Sequence, residues 1–162
     1  MNRAGLPVLM CVSLGCAGPT VHRGPAPSSD LVTPLVGGWR IEGPTRSDCP
    51  AGVDRSLPRG ETTWTDRAGR LHIASKTQTT PAVSLVPASD RHFTSQTEVA
   101  FPGCSGREVL TLEVAQLDRS WARGRYVAIF EHDGGPGCDR LLHEAHMTDR
   151  CETHMEWQAR RL

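Results

Sequence analysis

From Leu35 onward, apolar residues recur at every second position in short runs, and turn residues break those runs. This alternation is the tightest constraint on the fold. A period of two places apolar side chains on one face of an extended strand, whereas a helix needs a period near 3.6. Trp39 and Ile41 share one face of the first run, with Arg40 and Glu42 on the other. Trp64 lies in a second run, the turn Arg67-Ala68-Gly69-Arg70 follows, and Leu71 and Ile73 alternate after it. Residues 83–86 sit between Pro81 and Pro87 and read as an edge or irregular strand, because proline donates no ladder hydrogen bond. Phe93, Ser95, Thr97, Val99 and Phe101 share a face of a longer run. The clearest hairpin joins 108–117 to 121–131 through Asp118-Arg119-Ser120, with Leu110, Leu112 and Val114 on one strand and Tyr126, Ala128 and Phe130 on the other. Residues 140–147 read as a further strand. The last run, 153–161, sets Met155, Trp157 and Ala159 against His154, Glu156 and Gln158. The expectation is all-β: an antiparallel up-and-down barrel or sandwich of about eight to nine strands. Closure into a barrel removes exposed edges.

A chain of 162 residues accommodates one such domain. Its 18 basic and 18 acidic residues balance, so net charge gives no reason to expect nucleic acid or an anionic membrane surface as partner. Lys76 is the one lysine among the basic residues, a bias that a GC-rich coding sequence explains.

The first residues read differently. Arg3 supplies positive charge, 6–14 is a short apolar stretch, and Gly15 precedes Cys16. About nine residues are too few to span a bilayer, which takes about 20 as helix, so the stretch reads as a secretory signal. Ser13-Leu14-Gly15-Cys16 resembles the lipobox of bacterial lipoproteins, in which a small residue precedes a cysteine that is lipidated and becomes the new N-terminus. Ser13 departs from the aliphatic residue usual there. The resemblance implies a signal over 1–15, lipidation at Cys16 and an anchor in the cell envelope. Ala17, rather than Asp, follows Cys16, which favours the outer membrane if the source is Gram-negative. The alternative is an ordinary signal peptide cut elsewhere, after Ala17. Residues 16–34 are rich in Gly, Pro, Ser and Thr and read as a flexible tether. Such a tether reaches on the order of 20–25 Å. The folded domain is then 35–162.

Of six cysteines, Cys11 leaves with the signal and Cys16 carries lipid, so Cys49, Cys104, Cys138 and Cys151 remain for an oxidising compartment. Cys104 and Cys138 lie just beyond the open end of the hairpin centred on Arg119. Cys49 follows the first strand and Cys151 precedes the last, and these meet if those strands close the barrel. The favoured pairing is Cys104–Cys138 with Cys49–Cys151. Cys138–Cys151 requires the segment between them to fold back.

Gly37-Gly38-Trp39 on the first strand, with Arg160 or Arg161 on the last, is similar to the lipocalin or calycin barrel, where a Gly-x-Trp packs beneath an arginine from the final strand. The resemblance covers the two ends of the domain and implies a barrel that holds a small apolar ligand. The C-terminal helix of that family is missing here.

No catalytic constellation is evident, and no enzyme activity or cofactor is expected. Glu131, His132, Asp133, His143, Glu144, His146 and His154 form the densest polar cluster. His132, His143 and His146 are the metal candidates, but on a strand His143 and His146 point to opposite faces, and exported cysteines favour disulfides over zinc. Gly103-Cys104-Ser105-Gly106 is not a Gly-x-Ser-x-Gly elbow and reads as a turn at a disulfide. Two classes of function follow: a lipid-anchored barrel around a small apolar molecule, or an envelope interaction module, an inhibitor or assembly factor, using loops such as Pro44–Gly60. The first requires small inward residues and a cavity. The second requires a packed interior.

Overall fold

The computed structural model describes residues 29–49, 55–77, 79–101, 104–132, 134, 137–140 and 150–162. Residues 29–34, expected to belong to the tether, are folded. A helical turn, α1 (Ser29–Val32), runs into a 3-10 turn, Thr33–Leu35. Val32 and Leu35 are buried in the main core, so apolar burial ties down this stretch in spite of its composition.

Nine strands follow: β1 (Gly37–Glu42), β2 (Thr45–Ser47), β3 (Gly60–Arg67), β4 (Arg70–Ser75), β5 (Val83–Ser89), β6 (His92–Phe101), β7 (Cys104–Leu117), β8 (Trp121–His132) and β9 (Arg150–Arg161). Each of β3 to β8 pairs antiparallel with the next, and β1 pairs with β3 on one edge and β9 on the other. Eight strands therefore close a barrel. β2 extends β1 along β9 without changing register, since Glu42 faces Gln158 and Thr45 faces Met155. Between them, a Cβ on Gly43 would lie 2.0 Å from the Glu156 carbonyl oxygen, so only glycine fits. Following the register around the wall from Gly37 leads back to the first strand at Cys49, twelve residues on. This shear makes the strands tilt steeply against the barrel axis.

The turns have local causes. Between β3 and β4, Ala68 (φ 55°) and Gly69 (φ 77°) are both left-handed, as a two-residue hairpin requires. Asp66 Oδ1 accepts the Gly69 N–H at 2.7 Å. Between β7 and β8, the Asp118 N–H donates to the Trp121 carbonyl at 2.8 Å. Leu110 then faces Ala128, and Leu112 faces Tyr126. Of the two readings of the run at Val83, the irregular strand holds and the edge strand does not. β5 pairs on both sides, and Pro87 is accommodated where the β5–β6 register shifts between Pro87 and Ser89. At 137–140 the chain is helical rather than extended, and 141–149 lie outside the described residues.

Aromatic side chains fill the interior. The Trp64 ring lies 5.8 Å from both the Trp39 and Trp157 centroids, and Phe93 and Tyr126 are fully buried. Each such ring buries about 150–250 Å², worth about 4–6 kcal/mol at 25 cal/mol/Å². Their polar atoms are mostly matched. Trp39 Nε1 donates to the Leu35 carbonyl at 2.7 Å, and Trp64 Nε1 donates to Thr62 Oγ1, which itself donates to the Trp39 carbonyl. Trp157 Nε1 is buried without a hydrogen-bond partner among the described residues.

Cys49 bonds Cys151 and Cys104 bonds Cys138, the pairing inferred from strand order. Both bridges lie at one end of the barrel. With Phe130 and Val99 they form a second apolar cluster, separate from the main core.

Candidate functional site

The barrel has two unlike ends. At the disulfide end, the segment before β3 lies over the opening. Leu57 and Pro58 are buried there. Arg55 reaches Glu108, an inward-facing residue of β7 with a side chain only 13% exposed, at 3.0 Å. Of the loop 44–60, expected to reach out to a partner, 45–47 form β2 in the wall and 55–59 fold down over the opening. Beside it is a hollow of about 210 Å³ that includes Val83, Thr97 and Leu110. On the outer wall of this end, Glu131 pairs with Arg107 and Arg150, and Glu152 pairs with Arg150 and His154. The hydrogen bond from Arg107 holds the Glu131 carboxyl below its ordinary pKa.

At the opposite end, α1 and the 3-10 turn enter the core. The Arg161 guanidinium stacks 4.6 Å above the centre of the Trp39 ring and donates to the Pro34 carbonyl at 3.1 Å. First strand, last strand and entering chain are thus joined at one tryptophan; the resemblance implied the first two, and the entering chain had been expected to be tether. The Arg161 N–H also binds the Ser120 carbonyl, tying β9 to the β7–β8 turn.

The outer wall of β7, β8 and β9, with Gly43 and Pro44 of the β1–β2 link, carries a groove of about 710 Å³. Its floor is backbone. Gly124 faces Trp157, and a Cβ at Gly124 would lie 1.8 Å from the Glu113 carbonyl oxygen. Glu113, Arg125 and Glu156 stand along one side and Arg123 and Gln158 along the other, each row brought together by cross-strand register. Arg125 Nε meets Glu156 Oε1 at 3.1 Å. None of these residues stood out in the sequence. The available signal was Gly124, a glycine inside a strand pattern, which marks close backbone approach.

Of the metal candidates, His132 ends β8 and its Nδ1 accepts the Gly134 N–H at 2.9 Å, while His143 and His146 lie outside the described residues, as does Cys16. The one grouping of potential ligand atoms among the described residues is Asp48, Cys49 and Cys151, and both sulfurs are committed to a disulfide. A single carboxylate is left, which is no ligand set.

The structure defines a class, the closed eight-stranded antiparallel barrel with a filled interior and a Trp–Arg latch across its seam. No protein-family model, curated protein or solved structure matches the chain.

Proposed function

We propose that this domain is an interaction module of the cell envelope, tethered through Cys16, that engages a partner protein on its outer wall. The observation that carries the reading is the aromatic filling of the barrel, which leaves at the disulfide end a hollow of only about 210 Å³, smaller than a ligand pocket of about 300–1,000 Å³. Trp39, Trp64, Trp157, Tyr126 and Phe93 occupy the volume a barrel ligand would need. The outer groove supplies what a protein partner needs instead. It combines charges of both signs with a pinned backbone floor, and mixed charge sets register and partner choice more than raw affinity. The anchor rests on the lipobox resemblance of residues 13–16.

Native mass spectrometry of the protein purified from its own membrane, repeated after denaturation, tests this. The expected mass is that of the chain with its acyl groups, unchanged by denaturation. An added small-molecule mass that disappears on denaturation overturns the reading in favour of a ligand-binding barrel. A photo-crosslinker at Gln158 should give a discrete protein adduct that one at Gln96, on β6 and outside the groove lining, does not.

A further inference from the structure

We propose that the arginine-bearing end of the barrel docks onto an anionic lipid bilayer. The chain as a whole is neutral, but the fold sorts its charges. Arg67 and Arg70 flank the β3–β4 turn, Arg91 lies in the β5–β6 turn and Arg119 in the β7–β8 turn. Arg123, Arg160 and Arg161 complete the same end, and all seven are exposed. Among the described residues none of the seven forms an ion pair. At the disulfide end, in contrast, Arg55, Arg107 and Arg150 each meet a carboxylate, while Arg46, Arg59 and Arg140 meet none among the described residues. Four acids share the arginine end: Asp30, Asp66, Asp90 and Asp118. Two of these are engaged by their own turns, Asp66 with the Gly69 N–H and Asp118 with the Ser120 N–H. An excess of cationic groups is left facing outward.

Apolar exposure points to the same end. The large hydrophobic side chains exposed among the described residues are Val36 (37%), Trp121 (38%) and Leu162 (54%). They form one arc of the rim. The Leu162 N–H binds the Gly38 carbonyl, the Arg161 N–H binds the Ser120 carbonyl, and Arg160 faces Trp121 in register. An indole flanked by guanidinium groups is the combination that settles at a bilayer interface, its ring among headgroups and its cations toward phosphate. Arg123 already sits 5.9 Å from the Trp121 ring centre.

The chain also enters the fold at this end. Residues 16–28 precede α1, so a lipid on Cys16 would hold the arginine rim within a short tether of the bilayer. The proposal rests on the anchor reading for this proximity, but not for the surface itself. Each basic residue at an anionic surface is worth about fivefold in the docked population, and the attraction fades over about 10 Å at 0.1 M salt.

The test uses the full chain purified in detergent, with its intact mass reporting the acyl groups. It is reconstituted into vesicles of brominated phosphatidylcholine, with or without phosphatidylglycerol. Bromine quenches tryptophan at the interface, and Trp121 is the one exposed ring among the described residues. Quenching is expected with phosphatidylglycerol, several-fold weaker without it or at high salt, and absent in Trp121→Phe. Arg119→Ser, in an exposed turn, should lower the docked population about fivefold, while Arg46→Ser near the disulfide end should leave it unchanged. Equal quenching in both vesicle types, or no sensitivity to Arg119→Ser, overturns the docking. A mass without acyl groups refutes the anchor alone. The unanchored protein added to the same vesicles then gives the same discrimination.

Discussion

The two ends of this barrel are held by different physics. At the disulfide end two cross-links and a small apolar cluster join the strands, and three arginines, Arg55, Arg107 and Arg150, are matched to carboxylates. At the arginine end no covalent link exists among the described residues. A buried tryptophan, one stacked guanidinium and a few turn hydrogen bonds hold the seam, and charges are left unmatched. A region that matches its charges internally has little left to offer a partner, whereas unpaired charge and exposed indole are surplus to folding. The contrast therefore separates a part of the molecule that is stabilised from a part that is available.

The largest expected effect tests the covalent side. Cys49→Ser with Cys151→Ser opens a link across 102 residues and should cost about 4–5 kcal/mol in the chain-entropy model. The pair Cys104→Ser and Cys138→Ser, spanning 34 residues, should cost about 4 kcal/mol. Denaturant unfolding without reductant checks both, and a loss under about 1 kcal/mol for either pair would make the cross-linked end no different from the other.

A smaller effect sharpens the arginine end. Trp39→Phe removes the hydrogen bond to the Leu35 carbonyl and the best surface under Arg161, so about 2–3 kcal/mol should be lost. Trp157→Phe removes an indole N–H that has no partner among the described residues. It should therefore be the milder change, by about 1 kcal/mol or more. Equal losses in thermal melts would mean that the seam latch contributes only its bulk.

Acid should reach the two ends at different pH. Glu131 has a folded pKa below its unfolded value because Arg107 bonds the charged form. Its contribution is complete above the ordinary glutamate range and declines as pH falls through the lowered value. Arg107→Gln should bring the Glu131 titration, followed by carboxyl-carbon NMR, back upward. His72, on β4 toward the arginine end, is lowered from 6.5 by partial burial and then by Arg67. The unfolded chain binds that proton first, so stability associated with His72 falls as pH drops below about 6.5. Arg67→Gln should raise the imidazole pKa slightly, leaving the burial effect in place.

The smallest effect is salt. Screening should relieve repulsion among the unpaired arginines and weaken the surface pairs of the disulfide end. Arg119→Ser should then change stability by less than about 0.5 kcal/mol. Its influence belongs to binding.

Much of the wall is legible in the amino-acid sequence. Period-two alternation is a local property, and it assigns the inward faces of β1, β4, β7, β8 and β9 residue by residue. The hairpin centre at Arg119 sets the register that places Leu112 against Tyr126. Strand order then brings the four cysteines into pairs. The misreadings are also local in cause. Composition makes 29–34 look like tether, although two apolar residues, Val32 and Leu35, suffice to anchor it. Flanking prolines make β5 look like an edge, although a register shift at Pro87 absorbs the missing donor.

The candidate surfaces are not legible there, because neither is a run of sequence. The outer groove is assembled across three strands and the β1–β2 link, and its floor depends on carbonyls of Glu113 and Glu156 approaching Gly124 and Gly43. The arginine rim gathers residues from three hairpin turns and from β8 and β9. In the sequence these arginines are diluted among equal numbers of acids, and the net charge is zero. The alternation of side chains along each strand was thus decided by the sequence alone, since it follows from backbone geometry within one strand. The separation of charge between the two ends was decided only by closure of the barrel, since that step alone brings distant turns onto one rim.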